Sequence, residues 1–351
     1  MATSSCTVSF FRNDLQRTDG HKCPVKNCSS KNLDKVKFQK FLVPFCPEHG
    51  IRIHSSGFVY YNGYSETDLI AATKRNLFFY PDCYVSNFFK KGNKMESGRL
   101  CYESSEDAVS YNVFTALLSD MSALKKLVGF IAKEEIRDDV NLYLWGNNID
   151  LTSGKSEPYP HLQKIREHLE KDIRQFKTEP DIMLIVPKKL VICIEAKFGS
   201  KNPIATDKTE AEGEKPKRMD RLIERYYDKN DLIKSYDIFD FATKPTMVFY
   251  EQLFRNIIFA ASMAHLEKAE KWYVINLRNE HLMNLKRGGP ESMPVMRSVR
   301  SILKPEYKKR FLHLTWEDIY EMAVKDNPNL YNLSWYLKNK SLSCGRAFNI
   351  F

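Results

Sequence analysis

No segment of this 351-residue chain approaches the ~20 consecutive apolar residues that a bilayer span requires, so a membrane protein is not expected. The first residues, MATSSCTVSFFRND, have neither the basic start nor the apolar run of a secretion signal. Eight cysteines are too few in a chain this long to build a disulfide scaffold. These absences together predict a cytoplasmic protein in a reducing environment. A phosphate-binding loop is also missing. Ser153-Gly154-Lys155-Ser156 has the form of the end of one, but Ile149 stands where the first glycine is required. The glycine fingerprint of dinucleotide folds, HExxH and GxSxG are absent, and nothing repeats at a solenoid period. ATP hydrolysis is set aside as this chain's own work.

What remains is a globular composition with a basic excess. Hydrophobic residues make up 43%, with 22 Phe and 18 Tyr, and the formal net charge is +10. The charge favours a polyanionic partner. The length exceeds a usual single domain, so an enzyme domain with an accessory region is expected.

The most informative stretch is Glu179–Gly199, EPDIMLIVPKKLVICIEAKFG. Ile182–Val186 and Leu190–Ile194 are short and rich in β-branched residues, which predicts two strands. Pro187-Lys188-Lys189 is their three-residue hairpin loop. Pairing Val186 with Leu190 then sets Asp181 opposite Glu195, and period-two alternation puts Glu195 and Lys197 on one face beside it. A Glu-x-Lys triplet is commonly only a surface pair. Here, though, a strand apolar on both faces runs directly into two charges, which are costly to bury unless paired or metal-bound. Two carboxylates and an ammonium group at one place suit a hard divalent cation and phosphodiester hydrolysis.

Pro180-Asp181 followed by Glu195-Ala196-Lys197 resembles the PD-(D/E)XK, or restriction-endonuclease-like, nuclease superfamily. The motifs span roughly residues 100 to 325. The resemblance implies an α/β core with a mixed central sheet flanked by helices. It also implies an upstream helix carrying a glutamate, and Glu103–Leu118 fits, with Ser104 or Ser105 as cap. Val109, Val113, Ala116 and Leu117 form its apolar stripe; Glu106 is the first choice for the acid, with Glu103 and Asp107 behind it. On this reading Asp181 and Glu195 hold magnesium (or manganese), with the Ala196 carbonyl as a further ligand. Lys197 positions and helps deprotonate the attacking water, or stabilises charge on the phosphate, and Glu106 joins the metal shell or orients the lysine. These residues, at strand ends, are expected to be exposed and inexpensive to truncate. Phe249–Ala264 is the helix such enzymes place after the hairpin, aiming Gln252 and Arg255 at the scissile phosphate or the metal-bound water. Some branches have Tyr four residues after that Gln; this chain has Asn256.

A second constellation lies at residues 21–50. Cys23 and Cys28 form one short-spaced pair, and Cys46 and His49 another. Two such pairs are what a tetrahedral structural zinc needs, with sulfur at about 2.3 Å and nitrogen at about 2.0 Å. His21 is an alternative ligand, while Cys83 and Cys101 read as core. The lysines between the pairs, Lys31, Lys35, Lys37 and Lys40, either touch phosphates or are merely solvated.

The remaining chain predicts strands at Asn141–Trp145, Lys271–Leu277 and Phe311–Leu314, and a helix from His161 to Phe176 whose histidines lie on its surface. Phe58–Tyr61 and Leu77–Tyr80 read as strands or ordered loops, and Lys90–Arg99 as a linker. Ser200–Lys217, nearly devoid of large apolar residues, reads as a surface loop at the mouth of the site. Arg218, Arg221 and Arg225 then form a candidate phosphate-binding stripe, weakened by Glu224 on the same helix. The expected division is a zinc-binding region at 1–95, a nuclease core at 96–326 and a C-terminal tail at 327–351. The expected function is metal-dependent cleavage of nucleic acid, DNA favoured over RNA, in restriction or phage defence, by a homodimer or with a partner subunit. The alternatives are a non-catalytic nucleic-acid-binding protein on the same fold, or the nuclease subunit of a larger defence or repair complex.

Overall fold

The computed structural model describes residues 22–30, 32–38, 40–54, 57–60, 65–77, 99–151, 155–174, 177–205, 218–233, 236–241, 249–280, 292–342 and 345–351. Four short strands open the chain: β1 (Asp34–Phe38), β2 (Phe41–Cys46), β3 (Ile51–His54) and β4 (Gly57–Val59). They form one antiparallel sheet in sequence order. Helix α1 (Glu66–Asn76) follows, capped by Ser65, whose hydroxyl accepts from Asp68 N. Of these strands the sequence marks only the one at Phe58-Val59; β1 is mostly exposed and carries three charges, and β2 is exposed at Phe41 and Leu42, so neither reads as a buried apolar run.

The central sheet has six strands in the order β12-β11-β8-β7-β5-β6. Its members are β5 (Asn141–Leu144), β6 (Asn147–Asn148), β7 (Ile182–Val186), β8 (Leu190–Ala196), β11 (Lys271–Arg278) and β12 (Phe311–Thr315). β8, β11 and β12 run parallel and the rest antiparallel, so the sheet is mixed as expected. β7 and β8 are buried along their whole length. Alternation sends Leu190, Ile192 and Ile194 into one apolar layer and Val191 and Cys193 into the other.

Helices α2 (Glu106–Ser119) and α3 (Met121–Ala132) belong to the first layer. Ser105 caps α2 by accepting from Ala108 N, and Asp120 caps α3 by accepting from Ser122 N and Ala123 N. Most of α2 is buried, so its single apolar stripe is widened to nearly the whole helix. The second layer holds α4 (Pro160–Leu169), α6 (Glu251–Glu267) and α7 (Ser292–Ser301). Between them come α5 (Arg218–Ile223) and the two-residue strands β9 (Ile204–Ala205) and β10 (Phe249–Tyr250), which pair with each other. Helix α4 stops at Leu169, seven residues short of the predicted end. Glu170 leaves helical geometry and turns its carboxylate inward to accept from Thr178 N and the Tyr226 hydroxyl, the latter at 2.8 Å.

The chain closes with α8 (Trp316–Ile319), α9 (Tyr331–Asn339) and the hairpin β13 (Ser341–Leu342) and β14 (Gly345–Arg346). A full capping box, Thr315 with Asp318, starts α8. The segment after residue 327 joins the first layer through Leu333, Leu337 and Phe348. The predicted linker at Lys90–Arg99, Phe78–Tyr80, Cys83, His21 and residues 206–217 lie outside the described residues, apart from Arg99 in a short 3-10 turn. No described helix is long and apolar enough to cross a membrane.

Glu103, a fallback for the site, is instead a structural acid. It is buried, 3.0 Å from Lys340 Nζ, and accepts from the Tyr60 hydroxyl at 2.6 Å and Ser341 N at 3.1 Å. One carboxylate thus joins the N-terminal sheet, the start of α2 and the C-terminal hairpin. Replacing Glu103 with Gln strands a buried ammonium, and urea unfolding should show a loss of about 3–5 kcal/mol. Adding Lys340→Met to that variant should restore much of the stability.

Candidate active site

Asp181 stands immediately before β7, after a buried proline. Its backbone is fixed from the neighbouring hairpin: Trp145 N donates to Asp181 O at 3.1 Å. That hairpin turns on Trp145 and Gly146, both at positive φ (50° and 75°), the geometry of a tight two-residue turn. Glycine suits the positive φ at 146; a Cβ there would lie 2.7 Å from the Leu162 Cδ2 atom and would have to displace that side chain. The pairing of β7 with β8 starts at Val186↔Leu190 and runs to Ile182↔Ile194, which brings Asp181 to the level of Glu195. Asp181 Oδ2 accepts from Ala196 N at 2.9 Å.

Glu195 and Lys197 end β8 as an ion pair, Nζ to Oε1 at 2.6 Å. Both are buried, at 2% and 5% exposure, so the expectation of exposed residues that are inexpensive to truncate does not hold. The cause is helix α6, which packs on β8 and β11. Asn256 on that helix donates to the other Glu195 oxygen at 2.8 Å. Glu106 reaches in from the first turn of α2: Oε1 is 3.5 Å from Lys197 Nζ, while Oε2 accepts from Phe198 N at 2.7 Å and the Ser200 hydroxyl at 2.9 Å. The Lys197 backbone is held on both sides, its N–H donating to Leu277 O at 2.8 Å and its carbonyl accepting from buried Trp316 Nε1 at 3.2 Å. Side chains from separate parts of the chain meet at the carboxyl end of β8.

The electrostatics follow from that crowding. Burial first, and the Glu195 charge next, push the Asp181 carboxyl well above the usual carboxylate range. Burial pulls the Lys197 ammonium down, but Glu195, Asp181 and Glu106 outweigh it and hold it above the usual lysine range. Along the same sheet face, Asn276 pairs in register with both Glu195 and His313, accepts from Asn202 Nδ2 at 3.0 Å, and lies 3.4 Å from the His313 ring. Burial, then the Arg278 charge, depress His313 to about 4, so its ring is neutral at physiological pH.

The other expected site residues are placed less centrally. Gln252 Oε1 is buried without a hydrogen-bond partner among the described residues. Arg255 lies 3.7 Å from Glu251 and 3.4 Å from the Thr178 hydroxyl. Arg225 is held by two bonds to Asp172 at 2.6 and 2.8 Å, and Arg221 is exposed. The side chain of Arg218 lies outside the described residues. Helix α5 gives way at Glu224 to a π turn, so the spacing that would align Arg225 with Arg221 is broken. No sequence motif points to Asn256 or Ser200 as site residues. Its spacing of four from Gln252 marks Asn256 only as the place of an absent tyrosine.

The Cys and His residues near the N-terminus do converge. The ligand atoms of Cys23, Cys28, Cys46 and His49 all lie within 4.8 Å of one another, the one such group of three or more among the described residues. Cys23 to His49 Nδ1, Cys28 to Cys46, and Cys46 to His49 Nδ1 are each 3.6 Å apart. Metal–sulfur bonds of about 2.3 Å in a tetrahedron put ligands about 3.7 Å apart, so the set can hold a metal ion with little movement. Glu48, which no motif marks, supports it. One oxygen lies 3.6 Å from His49 Nε2, beyond hydrogen-bond distance but beside the ring nitrogen that does not face the thiols, and the other accepts from Ser29 N at 2.9 Å. The carboxylates around Lys197 are less tightly gathered, with the lysine between them. A cation there would draw on Asp181, Glu195 and backbone oxygen, which suits magnesium, an ion that keeps several waters.

A mixed sheet with Asp at one strand start, Glu-x-Lys at the next strand end and a helix-borne Glu beside them defines a restriction-endonuclease-like fold. A family model described as Restriction Endonuclease associating with ARP matches residues 87–340, and the chain belongs to that family. No curated protein and no solved structure matches it.

The raised Asp181 pKa makes a signed prediction. The folded, cation-free chain keeps a proton that the unfolded chain releases near pH ~3.9, so stability falls as pH rises from there through the folded value. At pH 8, without divalent cation, Asp181→Asn should therefore melt above the wild type. Manganese should raise the wild-type melting temperature more at pH 8 than at pH 5, and should leave Asp181→Asn unmoved.

Proposed function

We propose that this chain is a magnesium- or manganese-dependent nuclease that hydrolyses phosphodiester bonds, with DNA as its preferred substrate. The observation that carries this is the buried Lys197, bridged to Glu195 at 2.6 Å and Glu106 at 3.5 Å at the level of Asp181. The Glu103–Lys340 pair is as buried and serves structure; what sets Lys197 apart is that Glu195, Glu106 and Asp181 all act on one ammonium group, more negative charge than a structural pair needs. Asp181 and Glu195, with the Ala196 carbonyl, are the groups that would hold the cation. When bound there, magnesium polarises a phosphoryl oxygen and lowers the pKa of its water. Lys197, kept cationic by its three acids, orients the attacking water and stabilises negative charge developing on the phosphate. Glu106 fixes the lysine, and Asn256 fixes Glu195 by occupying one of its oxygens. Gln252, whose buried oxygen has no partner among the described residues, lies on α6 one turn before Asn256 and is a polar group for the water or the phosphate. Exposed Arg221 is the phosphate-binding residue favoured among the arginines.

Zinc is the metal proposed for Cys23, Cys28, Cys46 and His49, in a structural role, because mixed sulfur and nitrogen donors in closed tetrahedral spacing suit it. The buried free thiols Cys101 and Cys193 fit a reducing, cytoplasmic setting. The family description, association with ARP, supports the reading of this chain as a nuclease that works with a partner, in restriction or phage defence.

Two outcomes check this. With magnesium and labelled DNA, Asp181→Asn, Glu195→Gln and Lys197→Met should each lose about 10²-fold or more of the cleavage rate. Asn256→Ala, acting through Glu195, should lose about 10–100-fold. Full activity in any of the first three removes the site. Separately, purified protein should carry one zinc per chain, and Cys46→Ser should lower that content; protein prepared without chelator and found free of zinc would contradict the assignment.

A further inference from the structure

Residues 21–60 contain seven lysines and arginines against two acids, a net +5 in forty residues and half the excess of the entire chain. The structure concentrates part of that charge on one element, the β1–β2 hairpin. Lys35 and Lys37 lie opposite Pro44 and Leu42, so alternation sets both lysines and Leu42 on the same face. All three are exposed, Leu42 at 72%, and Lys40 is exposed at the turn. Among the described residues no ion pair engages Lys35, Lys37 or Lys40. The opposite face is the packed one: Phe38 and Val43 are buried, and the Arg52 guanidinium lies 5.6 Å from the Phe38 ring. Asp34, the one acid in β1, falls on that opposite face by the same alternation.

The hairpin is also fixed at its foot. Cys46, at the end of β2, belongs to the Cys/His cluster, and Arg75 of α1 donates to the His49 carbonyl at 2.6 Å. From there the module runs directly to the active site. Tyr60 N donates to Cys101 O at 2.9 Å and Glu103 N to Phe58 O at 2.8 Å, three residues before Glu106. A basic, exposed finger is therefore held in a set relation to the helix that delivers Glu106.

We propose that this hairpin is a docking finger for the DNA substrate. Lys35, Lys37 and Lys40 meet backbone phosphates away from the bond being cut, and Leu42 lies against the sugar edge between them. The recognised chemistry is a phosphodiester polyanion, because three cations spread along a two-stranded ribbon match repeated single charges along a backbone. No base reading is invoked, so the contribution is independent of sequence. The proposal rests on the nuclease reading.

The test uses the full chain loaded with zinc. Wild type and the triple variant Lys35→Ala, Lys37→Ala, Lys40→Ala are titrated with unrelated duplex DNAs, and with a duplex RNA, in calcium across a salt series. Unchanged zinc content and melting temperature show that the variant is folded. Each phosphate left without its lysine should flatten the plot of log affinity against log salt by about 0.9, so the triple variant should flatten by about two to three. In magnesium, its KM should rise at least tenfold with kcat within twofold. If the wild type cleaves DNA and the variant binds with the same slope and affinity, the docking finger is wrong while the nuclease stands. If the wild type binds neither DNA nor RNA, the nuclease reading falls with it. Weaker binding of the variant to RNA alone, with DNA binding intact, would overturn the finger as a DNA-docking element.

Discussion

The pairing of Lys197 with Glu195 is the constraint around which this molecule is arranged. Two charges placed at the end of a strand buried on both faces need partners on every side, and the structure recruits them from across the chain. Asn256 comes from the helix on one side of the sheet, Glu106 from a helix of the other layer, Leu277 from the next strand and Trp316 from a helix after the last strand of the sheet. These elements are anchored in the two apolar layers. Close packing of those layers gives the polar residues their positions, since the ends of well-packed elements have little freedom to drift. The site is a consequence of where the apolar residues stop.

That view explains a gradient along β8. Cys193 lies among apolar neighbours in the second layer. Glu195, two residues on and on the same face, is hydrogen-bonded and buried. The next same-face position, Lys197, completes the ion pair. Asn276 continues the polar row on β11, and His313, held neutral by burial, on β12. The packed apolar layers exclude water and keep the dielectric low around the acids, while Lys197 and Asn256 satisfy the two Glu195 oxygens. Under those conditions a cation or an ammonium group acts strongly on a phosphate.

The β7–β8 hairpin is legible in the sequence because β-branched runs, a three-residue loop and period-two alternation fix register without tertiary information. The Cys/His cluster is legible for a similar reason, as ligand spacing is a local property. Burial of Glu195 and Lys197 is not legible, because it is imposed by a helix that begins more than fifty residues later. Asn256 as the partner of Glu195 is hidden for the same reason. Glu103 and Glu106 illustrate the limit most clearly. They are three residues apart and chemically identical, yet one is claimed by Lys340 and the other by Lys197. Only the cap at Ser105 and the path of the C-terminal hairpin separate their fates. The early end of α4 at Leu169 has a related origin, since Tyr226, far along the chain, joins nearby Thr178 in holding Glu170.

The central claim is that the acids around Lys197 form a site for a divalent cation. Anomalous diffraction from crystals grown with manganese addresses it directly, because the metal position is located without reference to activity. The account predicts a manganese peak within about 2.2 Å of a carboxylate oxygen of Asp181 and of Glu195, distinct from any metal at the Cys/His cluster around Cys46. Manganese absent from that position at millimolar concentration, or bound only at surface acids elsewhere, would contradict it.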